Sequence, residues 1–265
     1  MTPPISIDGT DITGATIDGT DVQEITVDGD VVFTADTTPA TVIHQYTASN
    51  FTGSSWPDNV GNANMSILGS LSSTTYPNGT PAVSAGVNDG GQASGPHVLG
   101  SQQTFGIGFT IQTTDTGDPT AYLGILTGPP GNRDGFGLND TDFIDGSNGE
   151  PNAFCVGGTG DSSIEANQFI ADGNPHTIIW NKNSDDGTTW EMYIDDMVNP
   201  ASLSKQNNGF DRNSLALSSN VFGFYGQGFN GGFNDGKAFA ASIFEFNSAP
   251  YSQSERVAFK ARGGL

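Results

Sequence analysis

The sequence predicts an all-β protein, an antiparallel β-sandwich preceded by a small module of β-hairpin repeats. Three observations support this class. Short runs rich in β-branched and aromatic residues recur between clusters of Gly, Asn, Asp and Pro, which is typical of antiparallel sheets. A ten-residue repeat occupies the N-terminus, and the one clear helix signal lies near the C-terminus. The 265 residues suffice to bury the core of one large domain.

The N-terminal repeat indicates short strands separated by turns. An apolar residue followed by Asp-Gly recurs every ten residues, at Ile7, Ile17 and Val27. The last unit contains Asp28-Gly29, a pair that suits the two-residue loop of a type I′ hairpin. Because three such units bury little apolar surface, we expect residues 1–36 to need a partner. We therefore interpret them as an attachment and oligomerisation module.

The rest of the chain carries the predicted sandwich. The polar, Pro-containing stretch TADTTPAT, residues 34–41, indicates a linker, which we place at residues 37–43. Residues 44–265 then contain the runs that we expect to form strands: MSILGSL, TFGIGFTIQT, AYLGILT, NAFCVGG, HTIIWNK, TWEMYID, VFGFYG and FAASIFEF. Ser252 and Glu255 have the spacing of a capping box, which predicts a short C-terminal helix. The basic residues that suit the C-terminal end of that helix dipole are Arg256, Lys260 and Arg262.

Two of these runs predict a hairpin with its apolar side chains in the core. HTIIWNK and TTWEMYID alternate apolar and polar residues on either side of NSDDG. The alternation places one set of side chains in or near the core: Ile178, Trp180, Trp190, Met192 and Ile194.

The same hairpin carries a family resemblance. DGNPHTIIW followed by W-x-MYIDD resembles a motif of concanavalin A-like and laminin G-like jelly-roll domains. In that motif a turn, a His, a hydrophobic strand and a strand ending in Tyr-x-Asp follow one another. WPDNVGNAN, FGIGFTIQT, LALSSNVFGFYG and the C-terminal segment are similar to further parts of these domains, in the same order. The resemblance covers most of residues 44–262 and implies a jelly roll over residues 44–265.

His176 has two interpretations. The resemblance implies a structural residue at the start of a strand, hydrogen-bonded to the neighbouring loop, and catalysis is the alternative. His44 and His97 lie far away in sequence, and no Ser or Cys nucleophile motif accompanies any His. We favour the structural role.

The charge balance excludes several partners. Eight Lys and Arg residues stand against 29 Asp and Glu residues, which gives a formal net charge of −21. Such a charge repels phosphates and anionic membranes, so we expect no nucleic acid partner and no membrane insertion. The composition resembles that of proteins from extreme halophiles, where molar salt shortens the Debye length to about 3 Å. An acidic secreted protein of a mesophile is the alternative.

Neither disulfides nor targeting segments are predicted. The lone Cys155 excludes an intramolecular disulfide, so stability must come from packing, ions or partners. The first residues, MTPPISIDGTD, lack the basic and apolar regions of a signal peptide. No run approaches the about 18 apolar residues of a membrane span.

The carboxylates do not predict a glycosidase. The resemblance includes glycoside hydrolases, and retaining enzymes place two carboxyl groups about 5 to 5.5 Å apart. In this fold Glu-x-Asp-x-Glu or Glu-x-Asp-x-x-Glu supplies them, and none of the six Glu residues begins such a pattern. We therefore expect no enzyme. Glu191 and Asp195 are the residues to substitute if the alternative is tested.

A Gly-rich segment is the candidate ligand site. Residues 223–239, GFYGQGFNGGFNDGKAF, combine aromatic rings that can stack on sugars with polar groups that can bind hydroxyls. The candidate ligand-binding residues are Tyr225, Phe229, Asn230, Phe233, Asn234 and Asp235. The alternative is a loop whose Phe side chains pack on the sandwich or on a neighbouring subunit.

A second loop has the ligands of a calcium site. Residues 131–150 are rich in oxygen donors, and Asp140, Asp142 and Asp145 could share one Ca²⁺. Their spacing is not that of an EF-hand, and a solvated acidic loop is the alternative. We expect no required cofactor.

The functional hypothesis combines these features. The segment ISIDGTDITGATIDGTDVQEITVDGDVVFTA resembles attachment segments of structural proteins from haloarchaeal tailed viruses. The resemblance implies a capsid turret, spike or tail fibre, assembled in the host cytoplasm and exposed on the virion surface. Residues 1–36 would bind other virion proteins, and the jelly roll would bind host surface glycan or S-layer glycoprotein. We expect a homo-oligomer, a trimer or a pentamer. The alternatives are a purely structural decoration protein and a cellular carbohydrate-binding adhesin.

Overall fold

The computed structural model describes most of the sandwich and parts of the N-terminal segment. The described ranges are 42–86, 89–95, 104–114, 121–127, 134–139, 150–157, 160–183, 189–208, 220–225 and 238–265, with six short strands within residues 6–34.

The N-terminal strands form three separate antiparallel pairs. They are β1 (Ser6–Ile7) with β2 (Thr10–Asp11), β3 (Thr16–Ile17) with β4 (Thr20–Asp21), and β5 (Glu24–Val27) with β6 (Asp30–Thr34). Val27 pairs with Asp30, so two residues connect the last pair, as Asp28-Gly29 predicted. The repeat is therefore a series of hairpins. The type I′ turn itself lies outside the described residues, and the division at residues 37–43 stays a prediction.

The strands after the linker and the C-terminal helix follow in chain order. They are β7 (Val42–Thr47), β8 (Ser55–Trp56), β9 (Met65–Leu68), β10 (Leu71–Thr75), β11 (Pro81–Ala85), β12 (Gly90–Gly95), β13 (Phe105–Gln112), β14 (Ala121–Thr127), β15 (Asp134–Asn139), β16 (Asn152–Gly157), β17 (Gly160–Ala166), β18 (Pro175–Lys182), β19 (Glu191–Ile194), β20 (Leu203–Asn208), β21 (Asn220–Tyr225), β22 (Phe239–Ala241), β23 (Ile243–Asn247) and α1 (Gln253–Arg262). A single turn of 3₁₀ helix, Ala48–Asn50, follows β7.

These strands form two antiparallel sheets. Sheet 1 has the order β10-β11-β22-β13-β18-β19, and β23 continues the line of β22 and pairs with both β13 and β7. Sheet 2 has the order β20-β17-β16-β15-β14-β21-β12-β9-β8. The all-β class and the antiparallel arrangement are confirmed, and the jelly-roll connectivity stays a prediction.

The main core lies between the two sheets. Trp56 of sheet 2 is fully buried, and its ring centroid lies 5.0 Å from that of Phe244 in sheet 1. Trp180 contacts Phe105 and Trp190 at centroid distances of 5.3 and 5.2 Å. The five hairpin side chains expected in the core are all buried in it. Aromatic burial on this scale supplies much of the driving force for folding, since each ring removes about 150 to 250 Å² from water.

Helix α1 covers the outer face of sheet 1. Its capping box is confirmed, because the Ser252 side chain accepts from the Glu255 amide and the Glu255 side chain accepts from the Ser252 amide. Phe259 packs with Tyr251 on the sheet. Gly106 and Gly108 of β13 make room for these rings, since an added Cβ would come within 2.4 Å of Tyr251 or 2.9 Å of Phe259. The alternating Gly residues in FGIGF therefore serve the helix contact.

One end of the sandwich gathers seven connections between strands. The strand registers show that each of these connections joins the last residue of one strand to the first residue of the next. The strands that finish at this end of the sandwich are β9, β11, β13, β15, β17, β19 and β21. We call it the loop end. It is the part of the fold that positions the candidate site. Within the described residues, no helix has the length and apolar character that crossing a membrane requires.

Candidate functional site

Both segments predicted to bind ligands are anchored at the loop end. Of the candidate calcium loop, residues 131–150, Asp134–Asn139 form strand β15 rather than a loop, and the three candidate aspartates follow between Asn139 and Asn152, two residues that pair with each other. The Gly-rich segment leaves β21 after Tyr225 and returns at Ala238, whose carbonyl accepts a hydrogen bond from Thr113 Oγ1 at 2.8 Å. Strand β14 lies between β15 and β21. The two segments are far apart in sequence, but the topology of sheet 2 brings their anchoring strands close together.

The predicted site residues themselves are outside the described structure. Tyr225 is described only in its backbone, as the last residue of β21. The remaining candidates lie outside the described residues: Phe229, Asn230, Phe233, Asn234, Asp235, Asp140, Asp142 and Asp145. Their roles stay predictions. Among the described side chains, no group of three or more His, Cys, Asp or Glu is arranged to hold a metal ion.

Two described loops form the rim of the loop end. Residues 167–174 connect β17 to β18, and residues 195–202 connect β19 to β20. They lie side by side, since the Asn167 amide donates to the Ser202 carbonyl at 2.8 Å. The first loop is also tied to β13, because the Gly173 amide donates to the Thr113 carbonyl and Gln112 Nε2 donates to the Gly173 carbonyl. We call these two segments the rim loops.

His176 joins the two rim loops through paired carboxylates. Its Nδ1 lies 2.7 Å from Asp195 Oδ2, and its Nε2 lies 3.0 Å from Asp172 Oδ1. The imidazole is largely buried, whereas both carboxylates are more than a third exposed. Because both ring nitrogens face carboxylates, this arrangement holds an imidazolium in place. It does not present a free nitrogen that could act as a general base.

The electrostatics of this group agree with its geometry. The hydrogen bond to Asp195 raises the pKa of His176 above 6.5, against the opposing effect of burial, and Asp172 adds to the increase. Hydrogen bonds from the side chain and amide of Asn174, with a contribution from His176, lower the pKa of Asp172 to about 2. The prediction that His176 hydrogen-bonds a neighbouring loop is confirmed.

Asp195 shapes the second rim loop through its backbone. It has a φ of 61°, a left-handed conformation that Asp tolerates better than most residues. Its amide donates to the Thr177 carbonyl, and its own carbonyl accepts from Lys260 Nζ at 2.7 Å. Its Oδ1 accepts from the Thr177 amide at 2.9 Å. The chain thus reverses sharply at the end of β19, and helix α1 supports the reversal.

The rim loops expose apolar side chains beside polar ones. Phe169 is 49% exposed and Val198 is 51% exposed. Asp196 and Asn199 hydrogen-bond each other next to Val198, and that contact lowers the pKa of the Asp196 carboxyl. Phe169 was not among the residues predicted from the sequence. A signal was present in NQFIADGNPH, where a Phe precedes an Asp-Gly-Asn turn outside any alternating run.

Glu191 and Asp195 hydrogen-bond to separate groups. Glu191 Oε2 accepts from Tyr193 Oη at 3.0 Å and from Asn183 Nδ2 at 3.2 Å, whereas Asp195 binds His176. The expectation that the chain is not an enzyme stays a prediction.

Two described basic side chains are buried. Lys182 is 1% exposed, with its Nζ 5.7 Å from the centroid of the Phe105 ring. The Arg256 guanidinium lies 3.7 Å from the centroid of the Tyr193 ring and donates to the Met197 carbonyl. The carboxylates of the rim loops, in contrast, are exposed. Lys260 is half-buried, and its Nζ donates to the Asp195 carbonyl beside these carboxylates.

Comparisons with known proteins identify similar folds but no family. No family model matches the chain, and no curated protein matches it. A sialidase from Trypanosoma rangeli in complex with sialic acid has a TM-score of 0.57 at 13% identity, over 89% of this chain and 35% of the sialidase. The chain thus spans about a third of that enzyme's length.

Two further solved structures are similar over most of this chain. Domain 4 of AbnA, an extracellular arabinanase from Geobacillus stearothermophilus, in complex with arabinotriose, has a TM-score of 0.57 at 14% identity. The alignment covers 83% of this chain and 98% of that domain. A structure of botulinum neurotoxin type C, whose cell entry is described as dependent on interaction with two ganglioside molecules, has a TM-score of 0.57 at 12% identity, over 84% of this chain and 51% of that chain. At these identities the likeness establishes the fold, an all-β architecture shared with these proteins.

Proposed function

We propose that this chain is a glycan-binding module of a multimeric surface assembly and that the loop end is its contact surface. The observation that carries the proposal is the convergence of strand ends. One end of the sandwich anchors the Gly-rich aromatic segment and the Asp-rich segment, and it exposes Phe169. Aromatic rings beside amide and carboxylate groups are the side chains that sugar rings and hydroxyls require.

The fold comparisons support the proposal at the level of chemistry. The three neighbours are described in complex with sialic acid, in complex with arabinotriose, or as dependent on gangliosides. Each of the named ligands is a carbohydrate or a glycolipid. A fold can carry many functions, so this support is an analogy that stands beside the surface features.

The charge of the loop end favours a neutral glycan. On the rim loops Asp172 and Asp195 share the His176 imidazole, Asp196 is exposed, and the chain as a whole has a net charge of −21. A sialylated or sulfated sugar would meet like charge there, which lowers its association rate and its affinity. We therefore propose neutral hexose-containing glycans or glycoproteins as ligands.

The virion hypothesis remains our proposal for where the module acts. Weak sugar contacts gain strength when several copies are held together, because a tethered second site sees an effective concentration of roughly millimolar. The N-terminal hairpins, residues 1–36, would hold the copies together and attach them to other virion proteins. Electron microscopy of the native assembly tests this: density for the chain on a capsid vertex or tail supports it, and its location on host cells without virus favours the adhesin.

The ligand surface is tested by substitution of exposed rings. We expect Phe169→Ala, and separately the double substitution Phe229→Ala with Phe233→Ala, to weaken binding of multivalently displayed protein to neutral glycans about tenfold, which corresponds to about 1.4 kcal/mol. The measurement is binding to an immobilised panel of neutral and sialylated glycans. Val60→Ala is the matched control, because Val60 is 47% exposed and lies away from the loop end. Unchanged binding in both ring variants contradicts the proposed surface, and no binding by the parent protein favours a decoration role.

A further inference from the structure

A cleft opens in sheet 1 where two strands separate. The continuous line of β22 and β23 pairs with β11 at Ala241, opposite Val83, and with β7 at Ile243, opposite Thr47. Ser242 lies between the two pairings. On either side of it β7 and β11 diverge, and a cleft of about 350 Å³ occupies the space between them. None of its lining residues belongs to the loop end.

The floor of the cleft is fixed by hydrogen bonds. The Ser242 carbonyl accepts from the Ala48 amide at 2.7 Å. The Ser242 hydroxyl lies 2.7 Å from Thr110 Oγ1 and donates to the Gly263 carbonyl at 2.8 Å. Thr110 and Ser242 are both buried. The floor is therefore preorganised, and a ligand that binds there does not have to order it.

The cleft carries no net charge, although it contains an arginine. Arg262 Nη2 lies 2.7 and 2.8 Å from the two carboxylate oxygens of Glu245, which is fully buried. Gln45 Nε2 donates to the same carboxylate at 2.8 Å. Because the guanidinium is neutralised by this pair, the cleft offers no unpaired cation to an anionic ligand.

The walls combine hydroxyl and apolar groups. Ser49 and Thr80 line the cleft, and Ala48 and Pro81 provide apolar surface. The Ser49 hydroxyl donates to Thr47 Oγ1 and the Thr80 hydroxyl donates to the Gly264 carbonyl, both at 3.2 Å, so each hydroxyl oxygen can still accept from a ligand. The volume lies at the lower end of the range for small-molecule sites, which is about 300 to 1,000 Å³. This combination suits a molecule that has both hydroxyl groups and C–H faces.

We propose that this cleft is a second binding site, specific for a small neutral polyhydroxylated molecule of one or two sugar rings. The site is separate from the rim loops and does not depend on the function proposed for them. A ligand would place hydroxyls against Ser49 and Thr80 and a C–H face against Pro81.

Saturation-transfer NMR on the full chain tests the ligand class. The probes are the methyl α-glycosides of glucose, galactose and mannose, which are neutral, and glucuronate as an anion of similar size. We expect saturation transfer to at least one neutral glycoside and weaker transfer to glucuronate. Absence of transfer to all three neutral glycosides overturns the proposal. Stronger binding of glucuronate than of any neutral glycoside overturns its specificity.

Paired substitutions test the location. Ser49→Phe places a ring across the opening and should weaken glycoside binding at least about tenfold. Ser73→Phe, at an exposed position of the edge strand β10, makes the same chemical change outside the cleft and should leave binding unchanged. Phe169→Ala alters the rim loops and leaves the cleft unchanged, so it shows which of the two sites binds the glycoside. Transfer that persists in Ser49→Phe but disappears in Phe169→Ala assigns the sugar to the rim loops and overturns the cleft proposal.

Discussion

The two described histidines are both held by aspartates, but the two groups are built in opposite ways. His44 Nδ1 lies 2.6 Å from Asp58 Oδ2, and the Asp58 side chain is fully buried. His176 lies between Asp172 and Asp195, whose side chains are 39% and 37% exposed. In the first group the carboxylate is the buried centre. In the second the imidazole is the centre and the carboxylates face solvent.

The difference shows how each buried group is stabilised. Burial raises the pKa of Asp58, but the hydrogen bond with His44 and those from the backbone amides of Gly61, Gln45 and Val60 together outweigh it and lower the pKa to about 2. Gly61 permits this close approach, since an added Cβ would lie 2.5 Å from Asp58 Oδ2. His176 instead depends on two neighbouring charges. The Asp58 group fixes a loop to the sandwich, whereas the His176 group fixes the candidate ligand surface.

Removal of the buried carboxylate should have the largest effect. Asp58→Ala leaves the amides of Gln45, Val60, Gly61 and Ala63 and the His44 ring without their acceptor. Unsatisfied buried donors cost about 1 to 3 kcal/mol each, and relaxation admits water to some of them, so we expect a loss of about 4 kcal/mol. Urea unfolding monitored by tryptophan fluorescence measures it.

Asp196→Ala is the control for this substitution. Asp196 also accepts from two backbone amides, those of Val198 and Asn199, but it is exposed. Its removal should cost much less, because water can replace it. Equal losses in the two variants would contradict the role of burial in the comparison.

The second-largest effect that we expect is a pH dependence of stability that arises from the His176 group. The pKa of His176 is raised in the folded protein by Asp195 and Asp172. The contribution of the charged His176 to the unfolding free energy is therefore complete below pH 6.5. It is lost as the pH rises through the pKa that His176 has in the folded protein. We expect the difference in unfolding free energy between the parent protein and His176→Asn to shrink between pH 6 and pH 9.

The two proteins differ only at residue 176, so the contributions of all other groups cancel from this difference. The measurement is the unfolding free energy of each protein across that pH range, at constant ionic strength. A difference that stays constant with pH would show that His176 contributes by packing alone.

The parts of the fold that the sequence predicts are those with local signals. The capping box of Ser252 and Glu255 and the alternation from His176 to Ile194 are short-range patterns, and both are confirmed. Strands β12, GGQASG, and β20, LSKQNN, were not predicted. They have few β-branched or aromatic residues, and they are strands because neighbouring strands supply their hydrogen bonds.

The candidate site was predicted only in part, for a related reason. The sequence indicated two ligand segments, but only the order of strands in sheet 2 shows that their anchors lie at one end. The sequence associated Arg262 with the helix dipole, and the structure also pairs it with Glu245, 17 residues earlier. Such pairs depend on strand register and helix placement, and no local pattern in a single sequence encodes them.

The smallest expected effect is that of the outermost carboxylate. Asp172 accepts from Asn174 and from His176 and is 39% exposed, so screening by solvent limits Asp172→Asn to about 0.5 kcal/mol or less at pH 7. Its pKa is lowered to about 2, and its contribution is therefore present above the ordinary value of 3.8 and is lost as the pH falls through 2. The parent protein and Asp172→Asn should converge in unfolding free energy between pH 5 and pH 2. Two results would contradict this expectation: a loss of unfolding free energy as large as that of Asp58→Ala, or a loss that does not diminish in acid. Either would mean that Asp172 stabilises the fold as strongly as the buried Asp58 does, despite its exposure to solvent.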